Sequence, residues 1–449
     1  MSTSQFQIGR RPHTYLKTTP DSTSFDTYKS TSLIANPSLA LLKITLYTMY
    51  LGIVVDGLFP QIAIALLGGR DPYIQPLLKL ALPLGCIILW LIKGRLDLRA
   101  VGYPGILFAM YLLLDTIYFG LTGSLSEAAL GLYVGYFTFL MLLIFTAIAT
   151  ALSEDTIASL LLIAFGINLL IELAQSITNA PLLPLESIDG NFAVTSLQFY
   201  GKIRAFGLFG SVSAAGSFAS LIAALAIGNL RHRWSTLTVI SVSLACLVMV
   251  NLVGLRLGFI ELALCTFAAM LLRFTPRTRL TTLLPAIELA VMLFVLFGLS
   301  TVLGHSTGLF DASSLIERLG EWRDSIGALN DLSITKLLFG TGMIQHRLTV
   351  GADTGTWLDS MYLEVLLHIG IVGLAFLLLY YAWLYRYAVR WVQRTGSPLA
   401  ISVTAVWSSL PALGVINLMY PNVSTYYIGL LLCAGAPSTF ASQRTGVAE

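Results

Sequence analysis

Charge is the scarcest ingredient of this chain: Asp, Glu, Lys and Arg make up 11% of its 449 residues, against about 25% in soluble globular domains. With 56% hydrophobic residues and a mean hydropathy of +0.81, it has too little polar surface to face water on all sides. Cysteine is nearly as rare. Cys86, Cys246, Cys265 and Cys433 sit inside apolar runs with no CxxC spacing and no nearby histidine, so neither a disulfide framework nor a zinc site is supported, and they read as small core hydrophobes. The 26 basic and 23 acidic residues leave a net charge of +3, too even to imply a nucleic-acid partner. Also missing are a phosphate-cradling glycine loop with its lysine, HExxH, GxSxG and paired histidines at helical spacing. ATP-driven transport and metal hydrolysis lose their support, and neither a metal nor a cofactor is expected.

Present instead are apolar runs of about 20 residues, the length that carries a helix across the hydrocarbon layer. Twelve candidate spans lie near 38–58, 73–92, 102–122, 128–152, 156–178, 206–229, 236–254, 257–272, 281–303, 358–384, 398–418 and 422–441. The fold expected is therefore an all-α integral membrane bundle of about 12 transmembrane helices, with a polar tail over 1–37, a membrane domain over 38–441 and a short tail over 442–449. Residues 236–272 are too long for one crossing, since a helix of that length measures about 55 Å. Asn251-Leu-Val-Gly254-Leu-Arg256-Leu-Gly258 supplies the break, so the run folds as a hairpin with its tip at Gly254 to Gly258 and Arg256 at a membrane surface.

Alternate connections hold 16 and 8 basic residues. The richer set includes the N-terminal tail and residues 93–100, 231–234, 273–279 and 386–394, so the positive-inside rule places these and both termini in the cytoplasm. The poorer set contains the two large extracytoplasmic loops, 179–205 and 304–357. Loops of such length usually have a function.

The unusual polar residues gather on that outer side. Lys202-Ile-Arg204-Ala-Phe-Gly207-Leu-Phe209-Gly210-Ser211 closes the first loop and opens a span of small residues; Arg204 is placed either to fork a phosphate or to snorkel at the interface. Arg256, flanked by apolar runs, is a functional residue or a topological stop. Ser313 to Leu329 reads as an amphipathic helix lying against the bundle, in which Arg318, Trp322 and Arg323 are candidate ligand contacts, or charges neutralised by Glu317, Glu321 and Asp324. A glycine turn at Gly340 and Gly342 follows. Asp359, Ser360 and Tyr362 fall in the first turn of the tenth span, where Asp359 would serve as a general base or orient a hydroxyl, or simply cap the helix. His368 reads as a satisfied interior residue.

These segments, in this order over residues 200 to 385, resemble the O-antigen ligase and polymerase superfamily. The shared features are Arg204, Gly207 and Phe209 entering a span, Arg256 at a short outer turn, Arg318 and Trp322 in the loop helix, Gly340 and Gly342, and Tyr362-Leu363 leading to Gly370-Ile371-x-Gly373-Leu374. The resemblance implies a C-type glycosyltransferase-like bundle in the bacterial inner membrane, acting on a polyprenyl-diphosphate-linked glycan, with membrane lipid and a chain-length regulator protein as partners. Arg204, Arg318, Arg323, Trp322, Tyr362 and Ser360 would bind substrate, and Asp359 and Arg256 would serve catalysis. Ligases of the superfamily usually carry His-Asn where this chain has Asp359-Ser360, which leans towards polymerisation of O-antigen, capsule or exopolysaccharide repeat units. A ligase and a lipid-linked oligosaccharide flippase are the alternatives; the flippase would keep its charge at mid-span, where this chain has only Lys43, Asp56, Lys79, Asp115, Glu172, Glu261 and Glu288.

The charge bias yields a first prediction. A single cysteine introduced at position 275 should resist an impermeant thiol reagent added outside the cell, and one introduced at position 185 should react; the reverse pattern would invert the orientation.

Overall fold

The computed structural model describes residues 102–122, 153–181, 198–199, 202–209, 212–230, 233–276, 278–302, 332–341 and 360–415, with six helical positions between 320 and 329. Its helices are α1 (Gly102–Thr122), α2 (Glu154–Thr178), α3 (Val212–Asn229), α4 (Thr236–Val253), α5 (Arg256–Phe274), α6 (Arg279–Val302), α7 (Ile334–Phe339), α8 (Met361–Thr395) and α9 (Pro398–Leu413), with a two-residue hairpin, β1 (Gln198–Phe199) and β2 (Lys202–Ile203), between α2 and α3. Six of them, α2, α3, α4, α5, α6 and α8, are long and apolar enough to cross a membrane. The chain is a helical, multi-pass membrane protein. The expected spans at 38–58, 73–92, 128–152 and 422–441 lie outside the described residues.

Two expectations need correction. The span expected from 206 begins only at Val212, because residues 204–209 run without regular structure. The tenth span starts at Met361 and continues to Thr395. Ser360 is its N-cap, without a side-chain capping bond, so Ser360 lies just before the first turn. Inside the loop 304–357, the described positions between 320 and 329 are helical, as the amphipathic pattern over 313–329 predicts, and α7 adds a short helix that was not expected.

At the centre stands α3, buried around its whole circumference and packed by α5, α9 and α4. Its sequence, VSAAGSFASLIAALAIGN, explains this. Lipid offers no hydrophobic drive between helices, so contact depends on small residues that let backbones approach. A β-carbon on Gly216 would lie 3.6 Å from Gly258 Cα, and one on Gly228 would lie 2.9 Å from the Pro398 backbone.

The hairpin inferred from length is present. Helix α4 ends at Gly254, whose φ of +65° closes the turn with bonds to the Asn251 and Val250 carbonyls, and α5 begins at Arg256. At the opposite end of the bundle, Arg233 forks Asp155 at 2.9 and 3.0 Å, and this bond pushes the guanidinium above its ordinary value. Trp391 Nε1 donates to Glu154 Oε1 at 3.0 Å, and Arg273 to the Leu230 carbonyl at 2.9 Å. The acidic first turn of α2 therefore lies at the end of the bundle that holds Arg233, Arg273 and Trp391.

Two prolines interrupt helices, and tyrosines of α8 repair both. Pro285 in α6 has no N–H for the Thr281 carbonyl, and Tyr385 donates its hydroxyl there at 2.5 Å. Pro411 in α9 likewise frees the Trp407 carbonyl, which accepts from Tyr381, whose ring stacks on Trp407. A further break is in α8 itself, where Gly370 adopts φ +67° and ψ −176°. There Thr341 donates N–H and hydroxyl to the Leu367 carbonyl at 2.9 and 3.0 Å, and Tyr111 donates to the Ile369 carbonyl at 2.6 Å.

Tyr385→Phe should accordingly cost about 1–3 kcal/mol, the penalty of a buried carbonyl left unpaired, read as a lower Tm in detergent. In a Pro285→Ala background the restored N–H serves Thr281, and the same substitution should cost markedly less. Equal losses in both backgrounds would refute the pairing.

Candidate functional site

Two of the segments singled out in the sequence, the Arg204 turn and the α4–α5 hairpin tip, meet at one end of the described bundle. Arg204 follows β2 on a turn whose Ala205 N–H donates to the Leu252 carbonyl at 3.2 Å, joining it to the tip of the α4–α5 hairpin. The Arg204 Cγ lies 3.8 Å from the β-carbon position of Gly254. Residue 256 opens α5 two positions beyond. Two arginine positions far apart in sequence thus lie on backbone segments that meet at one corner.

The turn is held from its other side by α2. Gln175 Oε1 accepts from Gly207 N at 3.0 Å while its Nε2 donates to Gly207 O at 3.3 Å. Asn168 Oδ1 accepts from Leu208 N at 2.8 Å, and Asn179 Oδ1 from Ile203 N at 2.8 Å. Gly207 takes φ +63°, and a β-carbon there would meet Asn168 Oδ1 at 2.5 Å and Glu172 Oε1 at 3.2 Å. Only glycine fits both the backbone and the space. Phe206 and Phe209 plug this turn into the core, Phe209 against Phe218 with ring centroids 5.1 Å apart.

A second junction joins the glycine turn to α8. Gly340, at φ +87°, and Gly370 pack backbone to backbone: a β-carbon on the first would overlap the His368 carbonyl, and one on the second the Leu338 carbonyl. The two glycine motifs read separately in the sequence are halves of one close crossing. Nearby, Tyr362 donates to the Pro411 carbonyl at 2.8 Å and Met361 N–H to the Gly414 carbonyl at 2.9 Å, which seats the start of α8 on the end of α9. The Tyr362 hydroxyl is committed to this structural bond, and Ser360 is buried beside it. His368 approaches Glu364 at 3.8 Å, one helical turn away, in keeping with an interior role.

Of the loop-helix residues, Trp322 packs partly buried against the core and Arg323 is exposed. Arg318 and Asp359 lie outside the described residues, so the juxtaposition of base and arginines expected from sequence is untouched by this geometry.

Not singled out from sequence were Asn168, Gln175 and Asn179. Their signal was available: with Glu172 they recur at spacings of four, three and four in an otherwise apolar helix, one stripe of polar groups on a single face. Deeper in the bundle, Glu261 accepts from Ser217 at 3.0 Å and Glu288 from Ser408 at 3.2 Å. Cys265, one turn after Glu261, meets Ser409 at 3.4 Å. Among the described residues no group of three or more His, Cys, Asp or Glu is arranged to hold a metal ion.

No protein-family model matches the chain, and no curated protein matches it either.

Substituting Gly207 by Ala should lower the Tm, since the left-handed backbone alone costs about 1–2 kcal/mol and the new methyl would press on Asn168. Gly166, a helical glycine of α2 whose added β-carbon meets nothing within 4 Å, is the control: alanine there should be neutral or stabilising by about 0.5–1 kcal/mol. Similar losses at both positions would contradict the cradle.

Proposed function

We propose that this protein is a membrane glycosyltransferase that polymerises polyprenyl-diphosphate-linked oligosaccharide repeat units on the extracytoplasmic face of a bacterial inner membrane. The observation that carries the reading is the bond between the Arg204 turn and the hairpin tip, which gathers Arg204 and residue 256 at one corner. A lipid diphosphate is anionic and already activated, so its transfer needs cations to bind it and to stabilise the charge that builds on departure, with no nucleotide. Arg204, Arg256 and Arg318 supply these. The acceptor sugar hydroxyl, oriented or deprotonated by Asp359, attacks the anomeric carbon; the bond to the diphosphate oxygen breaks, the electron pair leaves with the carrier, and the hydroxyl proton passes to the base. Trp322, Arg323 and Ser360 are the further substrate contacts of this reading, whereas Tyr362 seats α8 through its bond to the Pro411 carbonyl; a chain-length regulator is the expected protein partner.

A specific observation favours a second reading. Glu172, Glu261 and Glu288 are 0%, 2% and 1% exposed inside the bundle, and intramembrane carboxyls commonly mark ion or substrate pathways. A carrier of lipid-linked oligosaccharides would use them.

One assay separates the readings. Purified protein in liposomes, given only polyprenyl-diphosphate repeat units, should produce a ladder of lengthened products. Single repeats that stay single until a second acceptor is added would establish a ligase, and repeats that cross the bilayer unchanged a flippase. Arg204→Lys and Arg256→Lys should each lose at least about tenfold in turnover while still inserting, because lysine keeps the charge without the planar fork. Wild-type turnover in both would remove the arginines from the site.

A further inference from the structure

Arg204 sits on a segment with almost no structure of its own. The strands beside it are two residues each, and no regular element contains residues 204–209. What fixes the segment is α2: Asn179 holds Ile203, Gln175 holds both the N–H and the carbonyl of Gly207, and Asn168 holds Leu208. These bonds bracket Arg204 on both sides, and the Ala205 bond to Leu252 closes the frame across the hairpin tip.

Amides inside a membrane helix are costly unless they are hydrogen-bonded, and α2 does not need them to pack. Ile157, Leu161, Ala164 and Phe165 already bury an apolar face in the core. The side chains of Asn168, Gln175 and Asn179 instead converge on the backbone of residues 203–208. Asn168 is itself fixed by a bond from Nδ2 to the Ala164 carbonyl at 3.0 Å, so the acceptor it offers does not swing. Glu172 fills the gap between the amides beneath Gly207.

We infer that Asn168, Gln175 and Asn179 form a positioning element for Arg204: they touch no ligand, and they set where its guanidinium stands against the hairpin tip. The ligand named in the test rests on the diphosphate reading; the positioning itself does not. A fixed frame suits a site that must meet two phosphate oxygens at once, because a small displacement of a bidentate group forfeits a large part of its effect.

The test has two arms. In the first, Arg204→Cys protein without ligand is reacted with an impermeant thiol reagent, alone and combined with Gln175→Leu or Asn179→Gly. Asn179→Gly is the mild variant, because Asn179 has φ +48° and glycine suits a left-handed helix end, so only the Ile203 bond is lost. The labelling rate should change at least about threefold in both combinations; unchanged rates in the folded Asn179→Gly protein would overturn the inference. The second arm is a double-mutant cycle on the Kd for polyprenyl diphosphate in detergent. Asn179→Gly should weaken binding by about tenfold in the otherwise wild-type protein, and by less than about twofold in the Arg204→Lys background. Additive losses mean that the amides act on folding and not through Arg204. If wild-type protein binds no polyprenyl diphosphate, the ligand reading fails alone, and the labelling arm still decides the positioning.

Discussion

A backbone that enters hydrocarbon must pair every N–H and carbonyl within the protein, since no water is there to serve them. Much of the described bundle is organised by this requirement. Where α6 and α9 carry prolines, the orphaned carbonyls of Thr281 and Trp407 accept from Tyr385 and Tyr381, one turn apart on α8. Where α8 breaks at Gly370, Thr341 and Tyr111 serve Leu367 and Ile369. The non-helical turn at 203–208 is the same case at the hairpin-tip end of the bundle, with amides of α2 doing what a helix or sheet would otherwise do. Irregular backbone at these places is tolerated because neighbours complete it, and such backbone is where a membrane protein can present groups to a ligand.

The parts of this fold governed by local pattern were legible in the sequence. Apolar run length located the described spanning helices to within a few residues at most ends, and the excess length of 236–272 placed the hairpin tip at Gly254 to Gly258, where a left-handed glycine closes it. Capping was less legible: Ser360 precedes α8 rather than joining its first turn. The late start of α3 at Val212 went unread because Ala205, Phe206 and Phe209 are as apolar as the helix they precede. What decides their conformation is Gly207 and the amides of α2, more than 25 residues away.

The candidate site was legible as a list of residues and not as an arrangement. Arg204 and Arg256 were chosen for their chemistry at a membrane surface, and what brings the Arg204 turn to the hairpin tip is the bond from Ala205 to Leu252 together with the α2 amides that hold the turn. Tyr362 was chosen for a ligand contact, yet its hydroxyl serves the Pro411 carbonyl. Glu261 and Glu288 were seen only as exceptions to charge-poor spans, whereas each meets a serine of a different helix in the interior. Pairings of this kind, between residues more than 40 positions apart, leave no periodicity to read.

The tyrosine repairs also impose an order on biogenesis. A chain elongating from its N-terminus delivers α6 with the Thr281 carbonyl open, and about a hundred residues must follow before Tyr385 arrives. The same helix brings Tyr381 ahead of its own acceptor, which comes with α9. Through that interval the Thr281 carbonyl is without the partner that the finished bundle gives it. Insertion machinery that shelters helices until their partners emerge suits such a sequence, and α9, too short to count among the spanning helices, is the piece that brings Tyr381 its acceptor at Trp407.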